Sequence, residues 1–264
     1  MFSKVYSAGV RGIEGYCVQV EADISDGMPQ FLMVGYLASE VKEAADRVRT
    51  ALRNTGIVLP VKRITVNLAP ACVRKAGSRF DLAVAAALLG AVGVVQPENL
   101  DDVMIAGELS LNGQVLGIPG VLSLVEAARA KGLRHCIVPA CNAREGAVIQ
   151  GVAVFGVASL TELLELLQHL KEAKPVRVDT EELLSQAEEG YGVDFAEING
   201  QQVVRRAAEV AAAGMHNFLM IGPPGSGKTM IARRIPGILP PLSLEESLEI
   251  TKVYSIAGVL KRVV

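Results

Sequence analysis

The apolar residues alternate between two spacings over residues 1–170. Residues 15–24 carry apolar side chains at every second position, which predicts a strand with one exposed face. Residues 39–54 carry them at helical spacing opposite a charged face, and Gly56 supplies a stop. Residues 63–68 predict a further strand. This succession of strands and helices indicates an α/β domain.

The most apolar segment, residues 80–93, predicts a helix buried on all sides. It is too short and too rich in glycine to cross a bilayer. Asn112-Gly113 lies between the apolar runs 104–111 and 114–118, which predicts a hairpin. The remaining elements predicted for this domain are a helix at 119–131, strands at 136–138 and 152–155, and a helix at 159–170.

A change of composition separates the last part of the chain. Residues 171–193 are rich in charge, and their acidic stretch predicts a solvated linker. After it, residues 201–213 predict a helix and the apolar run 218–221 predicts a buried strand. Ser243 followed by Glu246 is a capping box, which predicts the start of a short helix.

A glycine-rich segment after the predicted strand fits the phosphate-loop pattern G-x-x-x-x-G-K-[ST] and leads into a predicted helix start at 230–235. The pattern is formed by Gly222, Pro223, Pro224, Gly225, Ser226, Gly227, Lys228 and Thr229. Glycines let successive backbone N–H groups surround phosphate oxygens, and a helix N-terminus adds partial positive charge. We therefore expect ATP as ligand, with Lys228 at the β- and γ-phosphates and the Thr229 hydroxyl on Mg²⁺.

The acidic residues after this loop give no sign of a hydrolytic site. Glu245, Glu246 and Glu249 have the pattern of the polar face of a helix, because no apolar strand leads into them. A phosphate-loop ATPase also needs a metal-binding acid and usually an arginine finger. We therefore predict no catalytic residue, and whether the chain hydrolyses ATP stays open.

Composition narrows the class of protein further. The chain has 264 residues and no tryptophan. Because its net charge is −2, nucleic-acid binding would have to come from local basic clusters. The N-terminus lacks the pattern of a signal peptide, and we expect a cytoplasmic protein without a membrane partner. His135, Cys136 and Cys141 are close in sequence, but ordinary buried thiols are the favoured interpretation over a metal site.

Motifs along the whole chain resemble one family. Residues 194–201 and 211–217, followed by the phosphate loop, are similar to the opening of magnesium-chelatase-like AAA+ ATPases. In the N-terminal half, the sequence resembles the ComM (YifB) subfamily at Met33-Val34-Gly35, Val41-Lys42-Glu43-Ala44, Asp46-Arg47-Val48-Arg49, Asn67-Leu68-Ala69-Pro70, Gly77-Ser78-Arg79-Phe80-Asp81-Leu82 and Gly107-Glu108-Leu109.

The resemblance implies a fold and a domain organisation. It implies an α+β domain like that of Lon protease and ribosomal protein S5 domain 2 over residues 1–170, and an acidic linker over 171–193. Residues 194–264 would be the N-terminal part of a phosphate-loop AAA+ α/β domain. The chain looks truncated relative to the family, because it stops before the Walker B acids, the sensor residues and the arginine finger.

The resemblance also implies ligands and partners. Gly200 and Gln201 would lie near the adenine of ATP. Family members are similar to hexameric ATPases that act on branched DNA in recombination and natural transformation. We therefore expect a homo-oligomer, hexameric when complete, with branched or single-stranded DNA as partner.

The likeness to Lon raises the question of peptidase activity. Arg79 stands where Lon has its serine nucleophile, and Leu122 stands where Lon has its lysine. Ser78 is one residue away, and a serine at a helix entry more often caps the helix. We therefore expect no peptidase activity, since a shared fold does not carry the chemistry over.

A basic cluster around the loop before the apolar helix could contact DNA phosphates. Its members are Lys62, Arg63, Arg74, Lys75 and Arg79. The alternatives are a solvated loop, or an Arg79 that pairs with Asp81 or with a neighbouring subunit. The cluster has no aromatic residues between its basic ones, so stacking on bases is not expected.

Two functional hypotheses follow. The first is an ATP-driven DNA-remodelling motor of the ComM type. The second is a non-catalytic module for oligomerisation or partner binding that retains a remnant nucleotide site. A magnesium-chelatase subunit is disfavoured, because such subunits lack the Lon-like domain.

Overall fold

The computed structural model describes residues 1–180, 182, 183 and 194–260. These residues form two compact units, which are treated separately below. One comprises Met1–Val178 together with the described residues from Ile250 onward, and the other comprises Asp179–Glu249. Most of the acidic stretch of the predicted linker lies outside the described residues.

A mixed sheet forms the centre of the first unit. The strands of this unit are β1 (Phe2–Arg11), β2 (Glu14–Ser25), β3 (Gln30–Val34), β4 (Arg63–Ala69), β5 (Val103–Ile105), β6 (Glu108–Leu109), β7 (Val115–Leu116), β8 (His135–Pro139) and β9 (Ala153–Val157). In the main sheet they lie in the order β3-β4-β2-β1-β5-β8-β9, and β6 pairs with β7 in a separate hairpin. The β1–β2 and β2–β4 pairs are antiparallel, whereas β3–β4, β1–β5, β5–β8 and β8–β9 are parallel.

Helices cover the sheet. They are α1 (Ser39–Lys42), α2 (Ala44–Asn54), α3 (Asp81–Val92), α4 (Val121–Ala130), α5 (Ala143–Gly146) and α6 (Leu160–Gln168). The predicted helix over 39–54 is present, but it is interrupted at Glu43, so that α1 and α2 are separate elements. Its predicted apolar face is buried at Val41, Val48 and Leu52.

Helix α3 is the centre of the core, as its composition predicts. Every residue from Asp81 to Ala91 is buried. It packs on β1 and β2 on one side and on α2 on another. Gly93 then ends it in the left-handed conformation, at φ 85°, as glycine commonly does after a helix.

The strand predictions need two corrections. Strands β1 and β3 were not predicted, although β1 pairs with β2 along its whole length. The hairpin at Asn112-Gly113 is present but short, with Glu108 opposite Leu116 and Leu109 opposite Val115. Met104 and Ile105, predicted as part of that hairpin, belong to β5 of the main sheet, because they pair with β8.

Helix α4 lies very close to strand β2. A Cβ at Gly15 would sit 2.0 Å from the main-chain oxygen of Ser123, so only glycine fits there. The Ser123 hydroxyl donates to Ile13 O at 2.9 Å, and the Cys17 thiol donates to Ala127 O at 3.3 Å. These contacts hold α4 against the hairpin between β1 and β2.

The residues after Ile250 complete the first unit. Glu145 is buried and accepts hydrogen bonds from the Leu122 N–H at 3.0 Å and from the Ser255 hydroxyl. The Gly120 N–H donates to Ser255 O at 3.2 Å. This buried carboxylate therefore joins the start of α4 to the end of the described chain.

The second unit contains helices α7 (Gln202–Ala213) and α8 (Lys228–Arg234) and the first half of α9 (Leu244–Ile256). The strand predicted at 218–221 is wrong, since these residues have no strand pairing. Leu219 and Ile221 are 81% and 89% exposed, while Phe218 and Met220 pack on a small core. A strand requires a neighbour to hydrogen-bond with, and the described part of this unit offers none.

Within the described residues, no helix combines the length and the apolar character that crossing a bilayer requires. The apolar helix α3, which has 12 residues, is accounted for by its burial in the core.

The close approach of α4 to β2 predicts a large effect of Gly15→Ala. The added methyl group would overlap the Ser123 carbonyl, and a main-chain atom cannot turn aside as a side chain can. We expect the free energy of unfolding to fall by about 1–3 kcal/mol, which urea denaturation would measure. Glu14→Ala, at the exposed neighbouring position, should change it by less than about 0.5 kcal/mol. Equal effects of the two substitutions would contradict the proposed close contact.

Candidate functional site

The phosphate-loop segment forms an open turn before helix α8. Gly225 and Gly227 have φ values of 79° and 84°, a region that residues with a Cβ rarely adopt. Neither glycine has an atom within 4 Å of where a Cβ would lie. The backbone of the turn is therefore accessible to a ligand, and α8 begins directly after it at Lys228.

The Lys228 side chain folds back over this turn. Its Nζ donates to the carbonyl oxygens of Gly222 and Pro223, both at 2.8 Å. A third hydrogen bond reaches Ser226 Oγ at 3.2 Å. An ammonium group has three donors, so the loop itself satisfies all of them. Thr229 follows on the same helix and is exposed.

A cleft of about 330 Å³ adjoins the loop. It is lined by Gln201 at the start of α7, by the run 218–223, and by Ser226 and Lys228. Gly200, at φ 71°, and Gln201, at φ 50°, are both in the left-handed conformation and lead into α7. The structure thus brings Gln201 and the phosphate loop to one cleft, whereas Gly200 is not among its lining residues.

A small core fixes the helices on either side of this cleft. Phe195, Ile198, Ala208 and Ile231 are buried together. Arg234 at the end of α8 pairs with Glu197 at 2.5 Å. These contacts position α7 and α8, and with them the two walls of the cleft.

Among the acidic residues after the loop, Glu246 has a structural role. The Glu246 carboxylate accepts from the Ser243 N–H at 2.9 Å and from its hydroxyl at 2.8 Å. The Glu246 N–H donates to Ser243 Oγ at 3.3 Å, which completes the predicted capping box. The hydrogen bonds from Ser243 hold the pKa of Glu246 below its ordinary value. The helix that it caps, α9, is longer than predicted.

In the first unit, the segment that resembles the Lon nucleophile region has different chemistry. Ser78 does not cap α3, so that expectation is wrong. Its hydroxyl instead donates to Glu108 Oε2, and the residue before α3 is Phe80. Leu122, at the place of the Lon lysine, is fully buried in the core.

Asp81 has a different partner from the one expected. Arg47 Nε donates to Asp81 Oδ2 at 2.8 Å, and Arg47 Nη2 donates to Oδ1 at 3.0 Å. Burial raises the pKa of Asp81, an effect that the Arg47 guanidinium opposes. The pair was not found from the sequence, although each residue lies in a motif that resembles the family. Arg79 does not take part in it.

The cysteine and histidine group is not a cluster of ligands. Cys136 is buried, and its burial raises the pKa of its thiol, whereas Cys141 is exposed. The expectation of a buried thiol is therefore wrong for Cys141. Across the part of the chain that the structure describes, no three His, Cys, Asp or Glu side chains could hold a metal ion together.

Comparison with known proteins connects both units to one family. The family profile described as subunit ChlI of Mg-chelatase matches residues 20–142, and that described as magnesium chelatase, subunit ChlI, matches residues 194–263. Competence protein ComM of Haemophilus influenzae is 39% identical over 255 residues, which cover 96% of this chain and 49% of that protein. The chain belongs to the magnesium-chelatase-like family, in its ComM/YifB type.

Other relatives agree with this assignment. The uncharacterized protein Rv2897c of Mycobacterium tuberculosis is 41% identical over 257 residues, covering 97% of this chain and 50% of that protein. Lon protease 2 of Bacillus subtilis is 30% identical over 146 residues, covering 53% of this chain and 26% of that protein. The predicted fold class, a Lon-like domain followed by the start of an AAA+ domain, is confirmed. This ComM/YifB-type chain spans about half the length of the full-length relatives it matches.

The Arg47–Asp81 pair predicts a strong dependence of stability on Asp81. Asp81→Ala would leave Arg47 half-buried without its carboxylate and would leave the Leu109 N–H, 3.4 Å away, without an acceptor. We expect a decrease of about 3 kcal/mol in the free energy of unfolding, measured by urea denaturation. Glu43→Ala removes the exposed partner of the same arginine and should cost less than about 0.5 kcal/mol. A small effect of Asp81→Ala would show that the pair does not stabilise α3.

Proposed function

We propose that this chain is the ATP-binding part of a DNA-remodelling motor of the ComM type. The observation that carries the proposal is the open glycine turn of the phosphate loop, with the Lys228 ammonium directed back over it. The family supports ATP and Mg²⁺ as ligands, because its members have an AAA+ domain. Remodelling itself is proposed for the whole protein. The chain spans about half the length of its ComM relative.

The residues of the loop fit a bound triphosphate. The space beside Gly225 and Gly227 lets phosphate oxygens approach the backbone N–H groups. Lys228 already holds its ammonium against three oxygen atoms, and the β- and γ-phosphates would replace them. Bound Mg²⁺ would screen the charge of the phosphates, and the exposed Thr229 hydroxyl is the group that we assign to it. Gly200 and Gln201 would lie near the adenine.

The remaining features of the proposal concern organisation. We infer a Lon-like domain at residues 1–170, a linker at 171–193 and the AAA+ segment at 194–264. We also infer a homo-oligomer, hexameric in the whole protein, that acts on branched or single-stranded DNA in the cytoplasm. The Haemophilus influenzae relative is named competence protein ComM, which agrees with a role in natural transformation.

Nucleotide binding tests the proposal directly. Lys228→Ala should weaken the affinity for ATP–Mg²⁺ by about 10- to 100-fold, because it removes charge-assisted hydrogen bonds to the phosphates. Isothermal titration calorimetry of the chain with ATP, in the presence and absence of Mg²⁺, would measure this. Thr229→Ala should reduce mainly the difference between those two conditions.

Arg233→Ala is the matched control, because Arg233 is an exposed cation on the same helix α8. It should leave the affinity for ATP unchanged. Equal affinity of Lys228→Ala and the unaltered chain, with both folded by circular dichroism, would reject the phosphate loop as the nucleotide site.

A further inference from the structure

Arg79 is a half-buried cation that has no counter-ion in the part of the chain that the structure describes. Within the described residues it takes part in no ion pair, and it makes one long hydrogen bond, from Nη1 to Pro119 O at 3.4 Å. Removing a guanidinium from water without pairing it is unfavourable. Arg47 in the same unit has a bidentate carboxylate. The contrast indicates that an anion from outside the chain completes the surroundings of Arg79.

Tyr16 and Arg11 lie beside Arg79. The Tyr16 hydroxyl donates to Arg74 O at 3.0 Å, and its ring lies over Gly9, where a Cβ would come within 2.5 Å of the phenol. Burial raises the pKa of Tyr16, while the positive charges of Arg79 and Arg11 oppose that shift. In the β1–β2 pair, Gly9 lies opposite Tyr16 and Arg11 lies opposite Glu14, so the exposed Arg11 is on the same face as the Tyr16 ring. Arg79 lies near the end of the same strand, because a Cβ at Gly120 would meet Val10 Cγ2 at 3.3 Å and Arg79 Nη1 at 3.9 Å.

We propose that Arg79 and Arg11, arranged around Tyr16, bind phosphate groups of a nucleic-acid strand. The inference rests on the DNA part of the proposed function and names the contact that would serve it. Guanidinium groups present several N–H donors in a fixed plane, which suits phosphate oxygens. Arg11 and Arg74 are exposed, and Arg79 is half-buried. Several cations at the surface suit a chain of phosphates better than a single small anion.

This surface differs from the basic cluster expected from the sequence. Lys75 is fully buried, and its ammonium donates to Pro70 O, so it is not available to a ligand. Lys62 pairs with Asp26 at 2.8 Å. Arg11, which is far from these lysines in the sequence and ends β1, takes their place. The site therefore combines the end of β1 with the loop that enters α3.

The test is fluorescence anisotropy with a labelled single-stranded DNA oligonucleotide and the whole chain. We expect Arg79→Gln and Arg11→Gln each to weaken binding by about tenfold at low salt. Each should also reduce the slope of log affinity against log salt, by roughly 0.7 for each phosphate that the variant no longer neutralises. Arg53→Gln, at an exposed arginine of α2, should change neither quantity. A peptide nucleic acid of the same sequence, which lacks phosphates, should not bind.

We do not expect either variant to lose DNA binding because of unfolding. Arg79→Gln removes a charge that has no ion-pair partner in the described chain, so its melting temperature should not fall, and Arg11→Gln changes an exposed residue. DNA binding that both substitutions leave unchanged, or that Arg53→Gln weakens equally, would overturn this inference and leave the proposed function standing. Absence of DNA binding by the unaltered chain would reject this inference together with the DNA part of the proposed function. Nucleotide binding, measured separately, would be unaffected by either result.

Discussion

A carboxylate at the start of the most buried helix is the constraint on which the first unit depends. Asp81 begins α3, and its side chain is 1% exposed. Arg47 on α2 neutralises it, and the Leu109 N–H of the hairpin completes its surroundings. One ionised group therefore fixes two helices and a hairpin relative to each other, so that three separate motifs of the chain act as a single structural element.

The sequence predicts the features that depend only on residues close together along the chain. Helix α3 and the turn at Asn112-Gly113 follow from composition and from turn chemistry, which are local. Strand β1 does not, because its buried face carries the polar residues Ser3 and Ser7 and so lacks the apolar alternation of a strand. The Arg47–Asp81 pair joins residues 34 positions apart in the sequence, and no local pattern indicates a contact between residues so far apart.

The same division applies to the candidate sites. The phosphate-loop pattern can be recognised from the sequence because it consists of the backbone and one lysine of a single short segment. The run at 218–221 is apolar enough for a strand, but strand formation depends on a neighbour elsewhere in the chain. Sequence alone also cannot separate Lys75, which is buried, from Arg79, which is half-buried and has no ion-pair partner among the described residues. The basic surface in the first unit therefore emerges only from the fold.

The three hydrogen bonds of Lys228 to its own loop have a consequence for selectivity. Any anion that enters must compete with two carbonyl oxygens and one hydroxyl that already satisfy the ammonium. A ligand with a single oxygen within reach replaces one bond and leaves the others in place. A polyphosphate offers oxygens from adjacent phosphates and can replace several at once. For the proposed nucleotide ligand, the loop would therefore discriminate by the number of oxygen atoms that the ligand presents, before any contact with the nucleobase.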